Sequence, residues 1–114
     1  MQKSDYKHSG DNLSIVNTVL DYFGFESANA LKTLPARQEI KGGILLDGGH
    51  NVSAAKFLAP KLSNETAIIG MMKDKDIDGY LEIIAPKCKK IIAVGVNNPR
   101  AISNSELAEM AKKY

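Results

Sequence analysis

Apolar and polar positions along this chain follow two rhythms, and the change from one to the other marks its organisation. In "DNLSIVNTVLDYFG" the residues Leu13, Val16, Leu20 and Phe23 recur at the spacing of one helix face, and Gly24 sits where a left-handed cap belongs. The spacing predicts a helix over about 11–23. "ESANALKTLP" predicts a shorter helix or turn, with Ser27 as its cap and Pro35 as its stop. "ARQEI" and "ILLD" then flank "KGG", which predicts two strands joined by a tight turn whose glycines supply positive φ.

From Ile44 onward the apolar runs "ILL", "AIIG" and "IIAVGV" each precede a helical pattern, the rhythm of β-α units in a parallel sheet. The first helix carries the stripe Ala55, Leu58 and Leu62, and Pro60 should bend or shorten it by removing a backbone donor. The second carries Ile77, Leu81 and Ile84 ahead of Pro86. The third carries Leu107, Met110 and Tyr114 behind "SNSE", a capping box with Ser103 as cap and Glu106 reaching back. The pattern predicts an α/β, Rossmann-like fold: a mostly parallel sheet with flanking helices and one antiparallel N-terminal strand. No low-complexity segment interrupts it, and the similar spacing of the units reflects architecture rather than sequence repetition.

Composition narrows the function classes. The 114 residues are one domain's worth of chain, and an apolar fraction of 44% is ample for one core. The net charge of +2, with both signs interspersed, leaves no basic stripe of the kind that binds a phosphate backbone, so no nucleic-acid partner is expected. A single cysteine, Cys88, excludes an internal disulfide framework and a multi-cysteine metal site, and it suits a reducing compartment. It reads as a small buried hydrophobe. No run approaches the roughly 20 apolar residues that span a bilayer, and "MQKSDYKHSGDN" has no apolar core like that of a signal peptide. A soluble cytoplasmic protein with no membrane partner is expected.

Candidate chemistry gathers in "DGGHN", "MMKDKD" and "NNPR", which each follow a strand and so should share one edge of the sheet. Ligands of open α/β sheets bind at that edge, where the backbone leaves the core and helix N-termini present unpaired N–H groups. Each residue there has two readings. Asp47 either braces a turn or caps the next helix, or it contacts a ligand. His50 has no second histidine or cysteine at ligand spacing, since His8 is remote in sequence, so no metal site is expected. Gly48 and Gly49 match neither the dinucleotide fingerprint nor the phosphate loop ending in Lys and Ser/Thr. Lys73, Asp74, Lys75 and Asp76 are either a solvated charge cluster containing a helix cap or part of the site. Arg100 is either a loop cation or an anion contact.

These residues also carry a family resemblance. "ILLDGGHN" followed by "AAKFL", then "IGMMKDKDI", then "NNPRAIS", resembles the C-terminal domain of folylpolyglutamate synthase and dihydrofolate synthase in the Mur ligase superfamily, in order and in spacing. "HSGDN" resembles the family's histidine and asparagine motif at the end of its central ATPase domain. "LPARQEI" resembles its proline and arginine segment at the interdomain junction. The resemblance covers nearly the whole chain and implies a division into the end of a central ATPase domain with its linker, residues 1–34, and a C-terminal ligase domain, residues 35–114.

The resemblance implies an ATP-dependent carboxylate–amine ligase. In such enzymes the γ-phosphate of ATP activates a pterin-linked carboxylate as an acyl phosphate, which the amine of glutamate attacks to give an amide, ADP and phosphate. Carried over residue by residue, the nucleotide contacts fall on Asn12, Arg37 and Asp47. An amide suits the adenine or its surroundings, a guanidinium suits phosphate oxygens, and a carboxylate suits ribose hydroxyls. His50 falls where the incoming amino acid is handled, and Lys73, Asp74, Asp76 and Arg100 fall on substrate-side loops.

Departures from the family pattern bound what this chain does alone. Nothing here resembles the family's phosphate loop, magnesium ligands or carbamylated lysine. ATP and Mg2+ are therefore expected to be bound mainly by an ATPase domain outside this sequence, and the chain alone is expected to be inactive. The family also usually continues past "AEMAKKY" with a further strand and helix. "DGGHN" has glycine where the family more often has alanine. The expected partners are ATP, glutamate, folate or dihydropteroate, and the missing ATPase domain of the same chain, in a monomer. Two alternatives share parts of the pattern: a peptidoglycan-precursor ligase of the Mur type, which "GMMKDKD" disfavours, and a free-standing non-catalytic small-ligand-binding module.

Overall fold

The computed structural model describes residues 10–29 and 35–114. The chain divides into two compact units, Met1–Pro35 and Ala36–Tyr114.

In the first unit, α1 spans Gly10–Tyr22. It ends as its sequence requires. Gly24 takes φ 75°, its N–H donates to the Asp21 carbonyl at 3.1 Å, and the Phe25 N–H donates to the Leu20 carbonyl at 2.8 Å. This pair of bonds satisfies carbonyls that the last turn leaves unpartnered. Leu13 is buried as expected, but Phe23 is exposed and stands edge-on to Tyr22. Buried Asn17 takes part instead: its amide nitrogen donates to the Ala28 carbonyl at 3.0 Å, and its oxygen accepts from the Ala28 N–H at 2.7 Å. Residues 25–28 are irregular rather than helical, and residues 30–34, where the second expected helix would continue, lie outside the described residues.

The second unit opens with a hairpin, β1 (Arg37–Lys41) and β2 (Ile44–Asp47), paired antiparallel. Gly42 and Gly43 both take positive φ, 58° and 77°, as a two-residue hairpin turn requires. A helix, α2 (Val52–Leu58), follows, and Pro60 ends it in a single 3-10 turn, Ala59–Lys61. Strand β3 (Glu65–Ile69), helix α3 (Ile77–Ile84) and a second 3-10 turn, Ala85–Lys87 around Pro86, lead into β4 (Cys88–Ala93). Helix α4 (Asn104–Ala111) closes the unit.

Both α2 and α3 thus end in the same tripeptide, Ala-Pro-Lys. Proline at the first turn of a 3-10 helix has no N–H to leave unpaired, and it stops the α-helix from continuing.

The parallel ladder is β3 with β4, and the hairpin forms a ladder of its own. Of the three apolar runs expected to line one parallel sheet, the first, in β2, is hydrogen-bonded only to β1. A short ribbon with a bulge twists strongly, which turns its free edge away from a neighbouring strand. Leu45 of β2 still packs against the common core.

The core lies between the helices and one face of the β3–β4 pair. Leu81, Ile84 and Leu107 are its most deeply buried large side chains, with Ala55, Leu58, Ile69 and Ile77 around them. All but Ile69, which comes from β3, are positions the helical stripes predict, whereas Tyr114, expected on the α4 stripe, lies beyond that helix and is exposed. Alternation along β3 sends Ile69 inward and leaves Ile68 70% exposed.

Truncating Leu81→Ala should therefore destabilise the chain by about 2–5 kcal/mol, through lost burial plus a cavity, whereas Ile68→Ala should cost under about 1 kcal/mol. Urea unfolding of both variants checks the contrast.

Candidate functional site

The site is built from three loops that leave the C-terminal ends of β2, β3 and β4. In the first, Asp47 is the last residue of β2 and the register partner of Arg37. Its Oδ1 accepts the Gly49 N–H at 2.6 Å, so the carboxylate braces the turn. The space for this is narrow: a Cβ on Gly49 would lie 2.6 Å from Asp47 Oδ1 and 2.7 Å from Ala54 Cβ. The cap of α2 is Asn51, whose side-chain oxygen accepts the Ala54 N–H at 2.8 Å. Of the two local roles open to Asp47, the structure thus places the turn brace on Asp47 and the cap on Asn51.

His50 is exposed, with Nδ1 3.1 Å from the Gly48 carbonyl oxygen. A carbonyl only accepts, so Nδ1 carries the hydrogen. In the neutral ring, Nε2 then keeps its lone pair free for a ligand.

The second and third loops are stitched together by backbone bonds. Met72 and Ala101 form an isolated antiparallel bridge, the Lys73 N–H donates to the Arg100 carbonyl at 2.7 Å, and the Ile102 N–H donates to the Met71 carbonyl at 3.0 Å. This brings Lys73, Asp74 and Arg100 to one place. Desolvation pushes the Asp74 carboxyl up, but its own backbone N–H, Lys75 at 3.5 Å and the Arg100 charge together hold it below the usual carboxylate range. Asp76 caps α3 by accepting the Gly79 N–H at 2.9 Å, so it serves the helix as the charge-cluster reading expects. The Arg100 N–H donates to Asn98 Oδ1 at 2.9 Å, which fixes the turn and leaves the exposed guanidinium outside every ion pair among the described residues.

Between the second loop and α4 lies a cavity of about 290 Å³. Ile77, Ile102 and Met110 line it alongside Lys73, Lys75, Asp76 and Glu106. The capping box on α4 forms in full. The Glu106 N–H donates to Ser103 Oγ at 3.2 Å, and Glu106 Oε2 accepts from Ser103 Oγ at 2.7 Å and from the Ser103 N–H. These bonds, with the Lys73 charge, hold the Glu106 carboxyl below its ordinary range despite some desolvation.

Arg37 and Asp47 are thus brought together, and so are Lys73, Asp74 and Arg100. Neither a side-chain hydrogen bond nor an ion pair joins the two groups among the described residues. The side chain of Asn12 lies outside the described residues. Three participants carry little signal in sequence: Asn51 as a cap, Asn98 as a turn brace, and Tyr80. The Tyr80 hydroxyl is pushed up by burial and by the nearby Asp47 and Cys88. No three His, Cys, Asp or Glu side chains come together to hold a metal ion among the described residues. No described helix is long and apolar enough to cross a membrane.

Residues 36–114 match the family model described as Mur ligase, glutamate ligase domain. The chain belongs to the Mur ligase family. Among curated relatives it is similar to the dihydrofolate synthase/folylpolyglutamate synthase of Haemophilus influenzae, 33% identical over an alignment 102 residues long that covers 82% of this chain and 21% of that one. Among solved structures it is similar to Escherichia coli FolC in complex with DHPP and ADP, with a TM-score of 0.77 at 25% identity over 89% of this chain and 28% of that one. It is also similar to a bifunctional folylpolyglutamate synthase/dihydrofolate synthase with Mn, AMPPNP and L-glutamate bound, with a TM-score of 0.71 at 25% identity over 82% and 27%. This Mur ligase chain thus spans about a fifth to just over a quarter of the length of these proteins.

Replacing Ser103 by Ala removes the hydroxyl that donates to the Glu106 carboxylate and accepts from its backbone N–H, so the Glu106 carboxyl should titrate closer to the ordinary glutamate value. A depressed carboxylate contributes stability that is present above its unfolded pKa and lost as pH falls through the folded one. The Ser103→Ala variant should therefore lose the cap bond to the Glu106 N–H at every pH, and with it a further part of its stability that is present at neutral pH and fades in acid. Carboxyl NMR titration and melts from pH 7 to pH 3, roughly the span of the carboxylate transition, check both parts.

Proposed function

We propose that residues 35–114 are the glutamate-ligase domain of an ATP-dependent enzyme that joins glutamate to a folate or dihydropteroate carboxylate, and that residues 1–34 are the end of its ATPase domain and linker. The observation that carries this reading is the pairing of Arg37 with Asp47 at the open end of the hairpin, inside the segment that matches the family. Relatives that hold ADP, AMPPNP, Mn and L-glutamate support the substrate classes. ATP and Mg2+ are assigned mainly to the ATPase domain. The lone Cys88 agrees with a reducing, cytoplasmic setting, and the proposal includes a monomer whose macromolecular partner is that domain of its own chain.

In this reading the substrate carboxylate takes the γ-phosphoryl group of ATP and ADP leaves. The glutamate amine then attacks the acyl phosphate carbon, phosphate departs with the C–O electron pair, and the amine loses a proton as the amide forms. Arg37 offers a planar set of donors to phosphate oxygens, whose charge is redistributed during transfer. Asp47 has one oxygen bound to Gly49, and its other oxygen is available to a ribose hydroxyl. Asn12 is assigned to the adenine side. Nε2 of His50 is available to take the proton of the incoming amine. Lys73 and Arg100, whose backbones are joined at the Met72–Ala101 bridge, suit the carboxylates of glutamate, while Asp74 faces Lys75 and Arg100 and Asp76 holds the α3 N-terminus.

Assays of the complete ligase with dihydropteroate, folates, glutamate and ATP test the reading, with each variant first shown by melting to be folded. Losing one charge-assisted contact should cost about 1.5–3 kcal/mol, roughly a tenfold to hundredfold effect. Arg37→Ala should mainly lower kcat, because it meets charge that develops in the transition state. Asp47→Ala should mainly raise the KM for ATP, because it binds ground and transition states alike. Wild-type ATP kinetics in both variants would sink the nucleotide role.

His50→Ala should raise the KM for glutamate more than that for ATP, and equal effects would remove His50 from the amino-acid side. The 114-residue chain alone should neither hydrolyse ATP nor ligate glutamate. Magnesium-dependent turnover by that purified chain, abolished at Asp47, would refute the assignment of the phosphate cradle to another domain.

A further inference from the structure

The hairpin that presents Arg37 is irregular at one residue, and that residue decides which way Arg37 faces. From the turn outward the register runs Lys41 with Ile44, Ile40 with Leu45 and Glu39 with Leu46, after which Gln38 is skipped and Arg37 pairs with Asp47. Side chains alternate along a strand, and directly opposed residues share a face. Continued without a bulge, the ladder would set Gln38 opposite Asp47 and turn Arg37 to the other face. The extra residue restores Arg37 to the face of Asp47.

Gln38 pays for this with backbone strain, at φ 52°, a left-handed conformation that glycine usually supplies at such bulges. Ala36, on the other side of Arg37, is also left-handed at φ 55°. Three contacts hold the distortion. The Ala36 N–H donates to Glu39 Oε2 at 3.0 Å across the bulge, the Gly48 N–H donates to the Ala36 carbonyl at 2.7 Å beyond it, and Lys61 Nζ donates to Gln38 Oε1 from the turn after α2. Strain retained between two residues and bound from both sides is the mark of a positioned group.

We propose that Gln38 is a positioning residue for phosphoryl transfer: its left-handed bulge sets Arg37 on the face of Asp47, where both reach one nucleotide. The inference rests on the role given to Arg37 above.

The test compares substitutions by the backbone they allow, in the complete ligase. Gln38→Val disfavours positive φ and should flatten the bulge, lowering kcat by roughly the tenfold to hundredfold expected for Arg37→Ala. Gln38→Gly and Gln38→Asn accept the left-handed conformation and should keep kcat within about threefold of the parent, although both lose the bond to Lys61. The double variant R37A/Q38V should be no slower than R37A alone, because both changes remove the same contact. A Q38V variant with parental kcat, a Q38G variant as slow as Q38V, or additive losses in the double variant would overturn the proposal. If R37A itself keeps parental kinetics, the role of Arg37 fails first. Crystal structures of Q38V and Q38G then decide the bulge: Arg37 still paired with Asp47 in Q38V overturns it, and a shifted register in Q38V alone supports it.

Discussion

Gly79 lets the first turn of α3 and the start of α2 pack closely, and this contact joins the two helices of the second unit. A Cβ at Gly79 would stand 2.9 Å from Val52 Cγ2 and 2.5 Å from Asp76 Oδ2. The missing side chain lets Val52, at the start of α2, settle into the first turn of α3, and it leaves room for the Asp76 carboxylate to cap the same turn. With α3 held there, Leu81 and Ile84 reach the centre of the core, and buried Tyr80 comes near Asp47. The contact of Val52 with the first turn of α3 thus lies on the same helix that brings Tyr80 near the carboxylate at the end of β2.

The strand ends explain why the polar residues stand where they do. A strand that leaves the core must find new partners for its backbone N–H and C=O groups. Here the loops supply them locally. Asp47 takes the Gly49 N–H, Asn51 the Ala54 N–H, Asp76 the Gly79 N–H, Asn98 the Arg100 N–H and Ser103 the Glu106 N–H. Five short polar side chains therefore stabilise turns and caps, while Arg37, Lys73 and Arg100 project from the scaffold they hold. Reading every polar residue of these segments as a ligand contact would overstate the site. Asp76 caps α3 through Oδ1 and also lines the cavity beside that helix.

Among the described residues, two of the three non-glycine residues with positive φ stand beside Arg37, and the third, Asn64, precedes β3. Ala36 and Gln38 flank Arg37 in left-handed conformations without being glycine, and both lie in the region that matches the ligase family. The glycines at the hairpin turn occupy the same region of backbone space with no side chain to clash. The difference separates a turn that only reverses the chain from the segment proposed above to aim Arg37.

Local interactions made much of this protein legible in its sequence. The Gly24 cap, the Gly42–Gly43 turn, the Pro60 and Pro86 stops, the Ser103–Glu106 box and the stripes on α2, α3 and α4 all involve residues a few positions apart, so periodicity and turn chemistry suffice to find them. The motif segments that suggested the Mur ligase family are similarly contiguous. What only the tertiary structure decided involves residues far apart or free to choose among partners. The sequence has no marker for a bulge at Gln38, because its left-handed backbone is held by Glu39, Gly48 and Lys61 together. Nor does it tell that Asn51 rather than Asp47 caps α2, since both acceptors lie within reach of that helix start. The separation of the hairpin from the β3–β4 ladder and the joining of Lys73 to Arg100 follow from strand twist and cross-loop pairing, which are long-range properties of the folded chain.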